Sequence, residues 1–334
     1  MTIRIDEQKI FQVIEERRPK SVALNGPEGL IGKIQDAADH ITEKYGIEAY
    51  VIGDTCWGSC DLNTHAADML GVDILFNIAH TVAMDTFGDK VFMIGAFDDI
   101  SFDAVARKCA QGLSGKYRAV SLLTDSQHLD QIVGVKKIFE DHGYNVIIGK
   151  GKGQLRDAQV FGCEFYPAYS VQKKVDAYIF LGQSMFHAAS IAMSTEMPTF
   201  MLDPYFEEYS QVNEFAQGLQ KRAILAIYKA LDAETLGLII GLKEGQFAHL
   251  RALELKKEFE KVGKKVQLIA LTEITEERVQ VFRGIDAFVQ VACPRIATDN
   301  HFKKPMLSVP QALALIKLLK KEPIENFLKI QHWL

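Results

Sequence analysis

Three cysteines lie on segments that follow hydrophobic, β-rich runs, and their thiolates could bind metal. They are Cys60, seven residues after EAYVIG, Cys163, fourteen residues after YNVIIG, and Cys293, directly after DAFVQVA. Open α/β sheets bind their ligands beyond the carboxyl ends of their strands. Thiolates that meet at such a point repel one another unless a metal neutralises them, and three soft thiolates suit an iron–sulfur cluster or zinc. The sequence therefore predicts one metal site shared by three distant parts of the chain.

The other cysteines and the nearby histidines give a weaker metal signal. Cys56 and Cys60 form C-x3-C, but Asn63 stands where the cluster-binding signature CxxxCxxC has its third cysteine. Cys109, in FDAVARKCAQGL, is predicted to be a core residue. The spacing of His65 and His80 to the cysteines matches no standard zinc finger. Any one of the five cysteines, taken alone, also fits simple core packing, because free cysteine is among the most buried residue types.

The segments that must position the three cysteines repeat one pattern of strands and helices. Each copy has short, β-branched, nearly continuous apolar runs separated by helical stretches, which is typical of buried parallel strands with helical crossovers. The third strand of each copy also begins alike, with VDIL, VDAYIF and IDAFVQ. The predicted strand runs are SVALN (21–25), EAYVIG (48–53), DILFNI (73–78), AVSLLT (119–124), YNVIIG (144–149), DAYIFLG (176–182), PTFMLD (198–203), LGLIIG (236–241), KVQLIAL (265–271) and DAFVQVA (286–292).

This repetition predicts an α/β protein of three similar domains arranged around a central cluster site. Each domain is expected to contain a parallel sheet with flanking helices and to contribute one cysteine. The predicted domains are 1–115 with Cys60, 116–220 with Cys163, and 221–334 with Cys293.

The composition excludes several other classes of protein. The 334 residues are 48% hydrophobic and 24% charged, and the net charge is −5, with a pI near 6.0 and a mean hydropathy of +0.01. An acidic chain is not expected to bind nucleic acid over a broad surface. Charged residues interrupt the N-terminal segment MTIRIDEQKIF and no long apolar run occurs, so neither a signal peptide nor a membrane span is expected. Five unpaired cysteines in such a chain indicate a reducing, cytoplasmic location.

Five segments of the sequence resemble the diphthamide-synthesis enzymes. The resemblance covers nearly the whole chain, in order, and its compact length is similar to the archaeal single-subunit form. The segments are GPEGLIGKIQDAADHI, GDTCWGSCD, IGKGKGQLRDAQVFGCEF, LGQSMFHAASIAMSTEMPTFMLDPYF and ACPRIATDNHFKKPMLS.

The resemblance implies a radical enzyme that uses S-adenosylmethionine. Cys60, Cys163 and Cys293 would hold a 4Fe–4S cluster with one iron left open, and Cys60 rather than Cys56 matches the family's G-x-C-D. The family transfers the 3-amino-3-carboxypropyl group of S-adenosylmethionine to carbon 2 of a histidine imidazole on translation elongation factor 2. The resemblance further implies a homodimer. Nothing in the sequence identifies the electron donor.

Several polar residues near these segments are candidates for binding S-adenosylmethionine. Arg295 suits the methionine carboxylate because its guanidinium is planar and permanently charged. The alternatives are an ordinary surface ion pair for Arg295, helix capping for His187, core packing for Trp57 and strand termination for Asp203. The candidates are Gln183, Ser184 and His187 after DAYIFLG, Arg295 after Cys293, and Thr55 and Trp57 beside the first cysteine, with Asp54 and Asp203 as weaker possibilities.

Two other functions remain open from the sequence. A quinolinate synthase-like dehydratase would also use one cluster cysteine per domain, and a non-enzymatic scaffold would bind structural zinc through the same thiols. The glycines of GKGKG (149–153) do not match G-x-G-x-x-G. We therefore expect a flexible loop there that leads to Cys163, not a phosphate-binding turn.

Overall fold

The computed structural model describes residues 3–299 and 302–324 and shows three main β-sheets with flanking helices. In this described part, no helix has the length and apolar character needed to cross a membrane. The fold is α/β, as the sequence predicts.

The first sheet has five strands in the order β3-β2-β4-β6-β5, and only β5 is antiparallel to its neighbour. A separate antiparallel pair joins β1 to β7. The elements of this part are β1 (Ile3–Ile5), α1 (Glu7–Arg17), β2 (Ser21–Asn25), α2 (Ile31–Tyr45), β3 (Glu48–Val51), α3 (Thr64–Leu70), β4 (Ile74–Ile78), β5 (Thr86–Phe87), β6 (Val91–Ile94) and β7 (Ala96–Asp98).

The second sheet has five strands in the order β12-β11-β10-β8-β9, and here only β12 is antiparallel. The elements of this part are α4 (Asp103–Gly112), β8 (Ala119–Thr124), α5 (Ile132–Asp141), β9 (Asn145–Val146), α6 (Tyr166–Val171), β10 (Ala177–Leu181), α7 (Met185–Thr195), β11 (Thr199–Asp203) and β12 (Glu208–Gln211).

The third sheet has four parallel strands in the order β14-β13-β15-β16. The elements of this part are α8 (Asn213–Lys229), β13 (Thr235–Gly241), α9 (His249–Lys261), β14 (Lys265–Leu271), α10 (Glu276–Val279), β15 (Ala287–Gln290), α11 (Pro294–Asp299), β16 (Met306–Leu307) and α12 (Val309–Leu319).

The three sheets share one strand order. If the parallel strands of each sheet are counted along the chain, the order in space is second, first, third and fourth in all three. Because these strands are parallel, their carboxyl ends meet at one edge of each sheet, and the loops that leave this edge are where such folds bind ligands. The repeated pattern in the sequence is therefore a repeated topology.

Several strands are shorter than the sequence predicts, and the largest differences, in β15 and β9, affect cysteine loops. Strand β15 ends at Gln290, whose side chain accepts a hydrogen bond from Ala292 N (2.7 Å) and donates one to Cys293 O (2.8 Å). The chain therefore turns before Cys293. Strand β9 is only two residues long, since Gly149 O already accepts from Ala158 N (2.9 Å) in the loop that leads to Cys163.

The packing of two helices bears on the predicted domain limits at 115 and 220. Helix α4 precedes position 115, yet its buried residues pack into the core of the second sheet. Helix α8 passes through position 220 and packs Ala216 and Leu219 on the second sheet and Ala226 and Ile227 on the third. The division at 115 and 220 stays a prediction. By its packing α4 belongs to the second sheet, and α8 contacts both the second and the third sheet.

An aspartate before the third strand of each sheet binds the start of the first strand. Asp73 Oδ2 accepts from Lys20 N (2.6 Å) and Ser21 N (3.3 Å). Asp176 and Asp286 accept from the two equivalent amides at 2.8–3.0 Å. The backbone hydrogen bonds lower the pKa of all three carboxyl groups. The aspartates of VDIL, VDAYIF and IDAFVQ thus perform one structural role three times.

Replacing Asp176 by alanine is expected to lower the free energy of unfolding by about 1 kcal/mol at pH 7, because two amides lose a charged acceptor at an exposed, screened site. A lowered folded-state pKa stabilises the fold above the unfolded pKa of about 3.9, and this contribution is lost as the pH falls through the folded pKa. Urea titrations of both proteins between neutral and acidic pH measure the difference. A gap that persists in strong acid would show that the carboxylate charge is not its cause.

Candidate metal centre and substrate site

Cys60 lies on the loop between β3 and α3, where it faces the third sheet. Its half-buried Sγ accepts a hydrogen bond from Gln246 Nε2 (3.4 Å), and its carbonyl oxygen accepts one from Gly245 N (2.9 Å). A side chain at Gly58 would already contact Sγ at 3.7 Å. The loop after β13 therefore holds Cys60.

Cys163 lies in a tight turn between β9 and α6. Phe161 N donates to Glu164 O (2.7 Å), which closes the turn around the cysteine. The Phe186 ring packs directly on the backbone of Gly162, since a Cβ there would lie 1.8 Å from a ring carbon. Only glycine fits beside Cys163, and this contact ties the cysteine loop to helix α7.

Cys293 lies between β15 and helix α11. The backbone amides of Arg295 and Ile296 approach its thiol and favour the thiolate, although burial raises the pKa of Cys293 to about 11. Pro294 is the first residue of α11, a position where the missing amide hydrogen costs nothing.

The three thiols are close enough for their charges to interact. Burial and the charges of Cys293 and Cys60 raise the pKa of Cys163, and Cys60 also raises the pKa of Cys293. Burial likewise raises the pKa of Cys60. Three half-buried thiols that oppose one another's ionisation become thiolates when a cation lies between them, which is the electrostatic requirement of a metal centre.

The described residues contain no preformed site for a single metal ion. Within 3–299 and 302–324, no three His, Cys, Asp or Glu side chains stand close enough together to hold one metal ion. In a cluster each cysteine binds a different iron, so its thiolates stand further apart than ligands of one ion. Three cysteine thiols are the donors that iron–sulfur clusters take, so their chemistry fits a cluster.

Cys56 points away from this space into the interior of the first sheet. Its Sγ lies 3.4 Å from Asn25 Nδ2, 3.3 Å from Asp61 O and 3.6 Å from His80 Nδ1. Burial raises the pKa of Cys56 to about 12. The structure therefore separates the two thiols of C-x3-C: Cys60 faces the other sheets, and Cys56 packs beneath the loop.

The remaining sequence candidates for metal binding have structural roles or lie apart. Cys109 is fully buried in the core of the second sheet, as predicted. His65 is exposed on α3. His80 lies beside Cys56, and burial lowers the pKa of His80 to about 4, which keeps its imidazole neutral at pH 7.

Arg295 lies between two aromatic rings at the edge of the site. Its guanidinium carbon is 5.9 Å from the ring centroid of Trp57 and 5.6 Å from that of Phe186. Trp57 is 56% exposed, so it is not the core residue that was the alternative in the sequence. Residues from all three sheets thus place one cation and two ring faces next to the cysteines, an arrangement typical of cation–π contacts.

Ser184 and His187 form the start of helix α7. Ser184 Oγ accepts from His187 N (3.4 Å) as the helix N-cap, and it is also hydrogen-bonded to His187 Nδ1. Burial lowers the pKa of His187, and the charge of nearby Arg295 also lowers it. Ser184 therefore caps the helix, and the His187 side chain supports the helix start through its bond to Ser184, while its neutral imidazole lies near Arg295.

Gln183 is paired with Asp203. Gln183 Nε2 donates to both carboxylate oxygens of Asp203 at 2.9 Å, and Asp203 also accepts from Tyr205 N (2.9 Å). Tyr205 in turn donates to Asp98 Oδ2 (2.6 Å). The pair therefore organises the loop after β11.

The first-loop and glycine-loop candidates differ in their surroundings. Thr55 is half-buried and Asp54 is exposed on the loop that contains Cys60.

In GKGKG, a Cβ on Gly149 would lie 1.9 Å from Pro167 O, and one on Gly151 would lie 2.1 Å from Leu155 O. These glycines serve close backbone packing rather than phosphate binding.

Sequence reasoning missed a charged group buried between the first and third sheets. Lys243 Nζ forms ion pairs with Asp61 and with Glu273 Oε1 (2.7 Å), and only 5% of the lysine side chain is exposed. One signal could have found it: Lys243 follows β13 at a carboxyl end, where functional loops are expected.

Comparison with known proteins decides the family. The family described as "Putative diphthamide synthesis protein" matches residues 26–326, most of the chain. The chain belongs to this family.

Members of the diphthamide synthesis family from archaea and eukaryotes align over most of this chain. The 2-(3-amino-3-carboxypropyl)histidine synthase of Pyrococcus horikoshii is 26% identical over 332 residues, which cover 98% of this chain and 95% of the relative. Subunit 1 of the synthase of Caenorhabditis elegans is 30% identical over 309 residues, 90% of this chain and 76% of that subunit.

Two solved structures of one family member share the fold of this diphthamide synthesis protein. The crystal structure of Dph2 from Pyrococcus horikoshii superimposes with a TM-score of 0.89 at 25% identity, covering 98% of this chain and 94% of that chain. The crystal structure of the same protein with a 4Fe-4S cluster gives a TM-score of 0.87 at 26% identity, covering 94% and 91%. The resemblance seen in the sequence is confirmed.

Proposed function

We propose that this protein transfers the 3-amino-3-carboxypropyl group of S-adenosylmethionine to a histidine of translation elongation factor 2, the first step of diphthamide biosynthesis. The convergence of three electrostatically coupled thiols, one from each sheet, carries the proposal. Membership of the diphthamide synthesis family and the names of the relatives support it.

Cys60, Cys163 and Cys293 are the residues that would hold a 4Fe–4S cluster. With three protein ligands, such a cluster would have one iron without a protein ligand, and it would supply the one-electron chemistry that cleaves the sulfonium. The relative of known structure that contains a 4Fe-4S cluster supports this assignment.

The reaction balances without a net oxidant or reductant. One electron breaks the bond between the sulfur and the γ-carbon, and methylthioadenosine leaves with the sulfur. The 3-amino-3-carboxypropyl radical forms a bond to carbon 2 of the imidazole. The ring then returns one electron to the oxidised cofactor and loses the proton from carbon 2 to water, which restores its aromaticity. A one-electron donor is needed to start the reaction.

The side chains around the thiols would select which bond breaks by placing S-adenosylmethionine. Arg295 would bind the methionine carboxylate, and the exposed face of Trp57 would stack on adenine. A displacement of about 1 Å at the reacting atoms changes rates strongly. Gln183, Ser184, His187 and Thr55 complete the proposed contact set. His187 is neutral and so does not repel the cationic sulfonium.

The proposed reaction defines the partners and the location. Its protein substrate is elongation factor 2, which places the enzyme in the cytoplasm. A homodimer is the expected assembly, as the family resemblance implies. Neither nucleic acid nor a membrane is expected to bind.

Anaerobic assay of the reconstituted protein tests this function. With dithionite, S-adenosylmethionine and elongation factor 2 of the same organism, we expect methylthioadenosine and a histidine that gains one 3-amino-3-carboxypropyl group in tandem mass spectrometry. A factor whose target histidine is replaced by alanine is the control and should gain no such group.

The same assay separates the two alternatives weighed from the sequence. Quinolinate formed from dihydroxyacetone phosphate and iminoaspartate, with no methylthioadenosine, would favour the dehydratase. A colourless protein that retains zinc after anaerobic iron and sulfide treatment would favour the scaffold.

A further inference from the structure

Four consecutive residues after β13 contact the Cys60 loop of the first sheet. Glu244 accepts from Leu62 N (3.3 Å), Thr64 N (2.7 Å) and Thr64 Oγ1 (2.6 Å). The flanking contacts are the Lys243–Asp61 ion pair, the Gly245 N to Cys60 O bond and the Gln246 Nε2 to Cys60 Sγ bond. We call Lys243–Gln246 the clamp.

The ion pair of the clamp is buried at the junction of the two sheets. Asp61 is 1% exposed and directly follows Cys60, while Lys243 is also paired with Glu273. Removing the lysine would leave a buried carboxylate without its cation, which is far more costly than losing an exposed ion pair. The pair therefore fixes the loop residue next to the thiolate.

The two backbones touch at Gly245. A Cβ at this position would lie 2.5 Å from Cys60 Cα and 2.6 Å from Cys60 Cβ. Real atoms do not approach so closely, so only glycine lets the clamp reach the cysteine. This contact sets how far the Cys60 thiol stands from the third sheet.

Gln246 donates directly to the sulfur. Its side chain is buried, and its backbone amide donates to Lys243 O (3.0 Å), which closes the clamp into a turn. Hydrogen bonds to cluster sulfurs withdraw negative charge, and they strengthen when the cluster gains an electron. A donor here therefore favours the reduced form.

We propose that the clamp is a positioning device: Lys243, Glu244 and Gly245 hold the Cys60 loop toward Cys163 and Cys293, and Gln246 raises the reduction potential of the bound cluster. The effect of Gln246 on the reduction potential rests on the proposed function. The positioning of the Cys60 loop is a property of the chain itself and does not require a bound cluster. None of the four residues is assigned contact with substrate.

Alkylation of the cysteines in metal-free protein tests the holding part. In Lys243→Met we expect iodoacetamide to modify Cys60 about tenfold faster, because the loop opens locally, while Cys163 and Cys293 change less than about twofold. Lys264→Met, which removes a lysine bonded to Leu231 O, is the control. If Lys243→Met does not fold, Asp61→Asn/Lys243→Met removes both charges together. An unchanged Cys60 rate, or an equal rise at all three cysteines, overturns the clamp.

A redox titration of the reconstituted protein tests Gln246. Gln246→Met keeps the size of the side chain without the donor, and we expect reduction to become about tenfold less favourable, about 59 mV for a one-electron couple, with iron content unchanged. Gln172→Met, which removes a donor to Thr195 O, should not shift the potential. An unshifted potential in Gln246→Met rejects its tuning role. Wild-type protein that binds no iron contradicts the proposed function and the tuning together, while alkylation still decides the clamp.

Discussion

Replacing any one of three cysteines by alanine is expected to remove most of the bound iron and to slow methylthioadenosine formation by at least about 100-fold. The three variants are Cys60→Ala, Cys163→Ala and Cys293→Ala. Each substitution leaves the cluster with two protein ligands, because one thiol comes from each sheet and no second thiol of that sheet faces the site in the part of the chain that the structure describes. Iron and sulfide per chain and visible absorbance after anaerobic reconstitution measure the first effect. Chromatography of the nucleoside product measures the second.

Two other cysteines are the matched controls for this series. Cys109→Ala removes a fully buried thiol from the second core, and Cys56→Ala removes one that points to Asn25 and His80. Both should cost about 1 kcal/mol of stability through the cavity they leave, yet retain iron. Full iron content in all three site variants would refute the shared centre, and iron loss in Cys56→Ala alone would move the first ligand to that residue.

Arg295→Met is expected to lower kcat/KM for S-adenosylmethionine by about 100-fold, mainly through KM. A bidentate charged hydrogen bond to a carboxylate contributes about 3 kcal/mol, and the methionine side chain keeps the aromatic packing against Trp57 and Phe186 but has no charge. Arg295→Lys should recover only part of the loss, since an ammonium cannot form the planar pair. Anaerobic calorimetry of S-adenosylmethionine binding separates affinity from turnover.

Arg251→Met is the control for Arg295. Arg251 forms an exposed ion pair with Glu254 on α9, so its loss should change neither binding nor turnover. A normal affinity in Arg295→Met, combined with a lower melting temperature, would show that Arg295 only stabilises the packing of the two rings.

The sequence by itself predicts the elements and the three cysteines because the responsible signals are local. Buried parallel strands are continuous apolar runs, and the aspartates that start the third strands stand in a repeated context. The position of Cys293 after a strand was predictable because an apolar run directly precedes it. The end of β15 at Gln290 was not predictable, because the side chain of that residue replaces the strand's own hydrogen bonds.

Only the tertiary structure decides which thiol of C-x3-C meets the third sheet and what holds it there. The bonds that answer this join Asp61 to Lys243 and Cys60 to Gln246, which are 182 and 186 residues apart. The stacking of Arg295 between Trp57 and Phe186 likewise combines three sheets. Local sequence patterns indicate whether a segment forms a helix or a strand. The contacts described here join residues far apart in the chain and form only when whole sheets pack together, so they stabilise the protein only in the folded state and no local pattern predicts them.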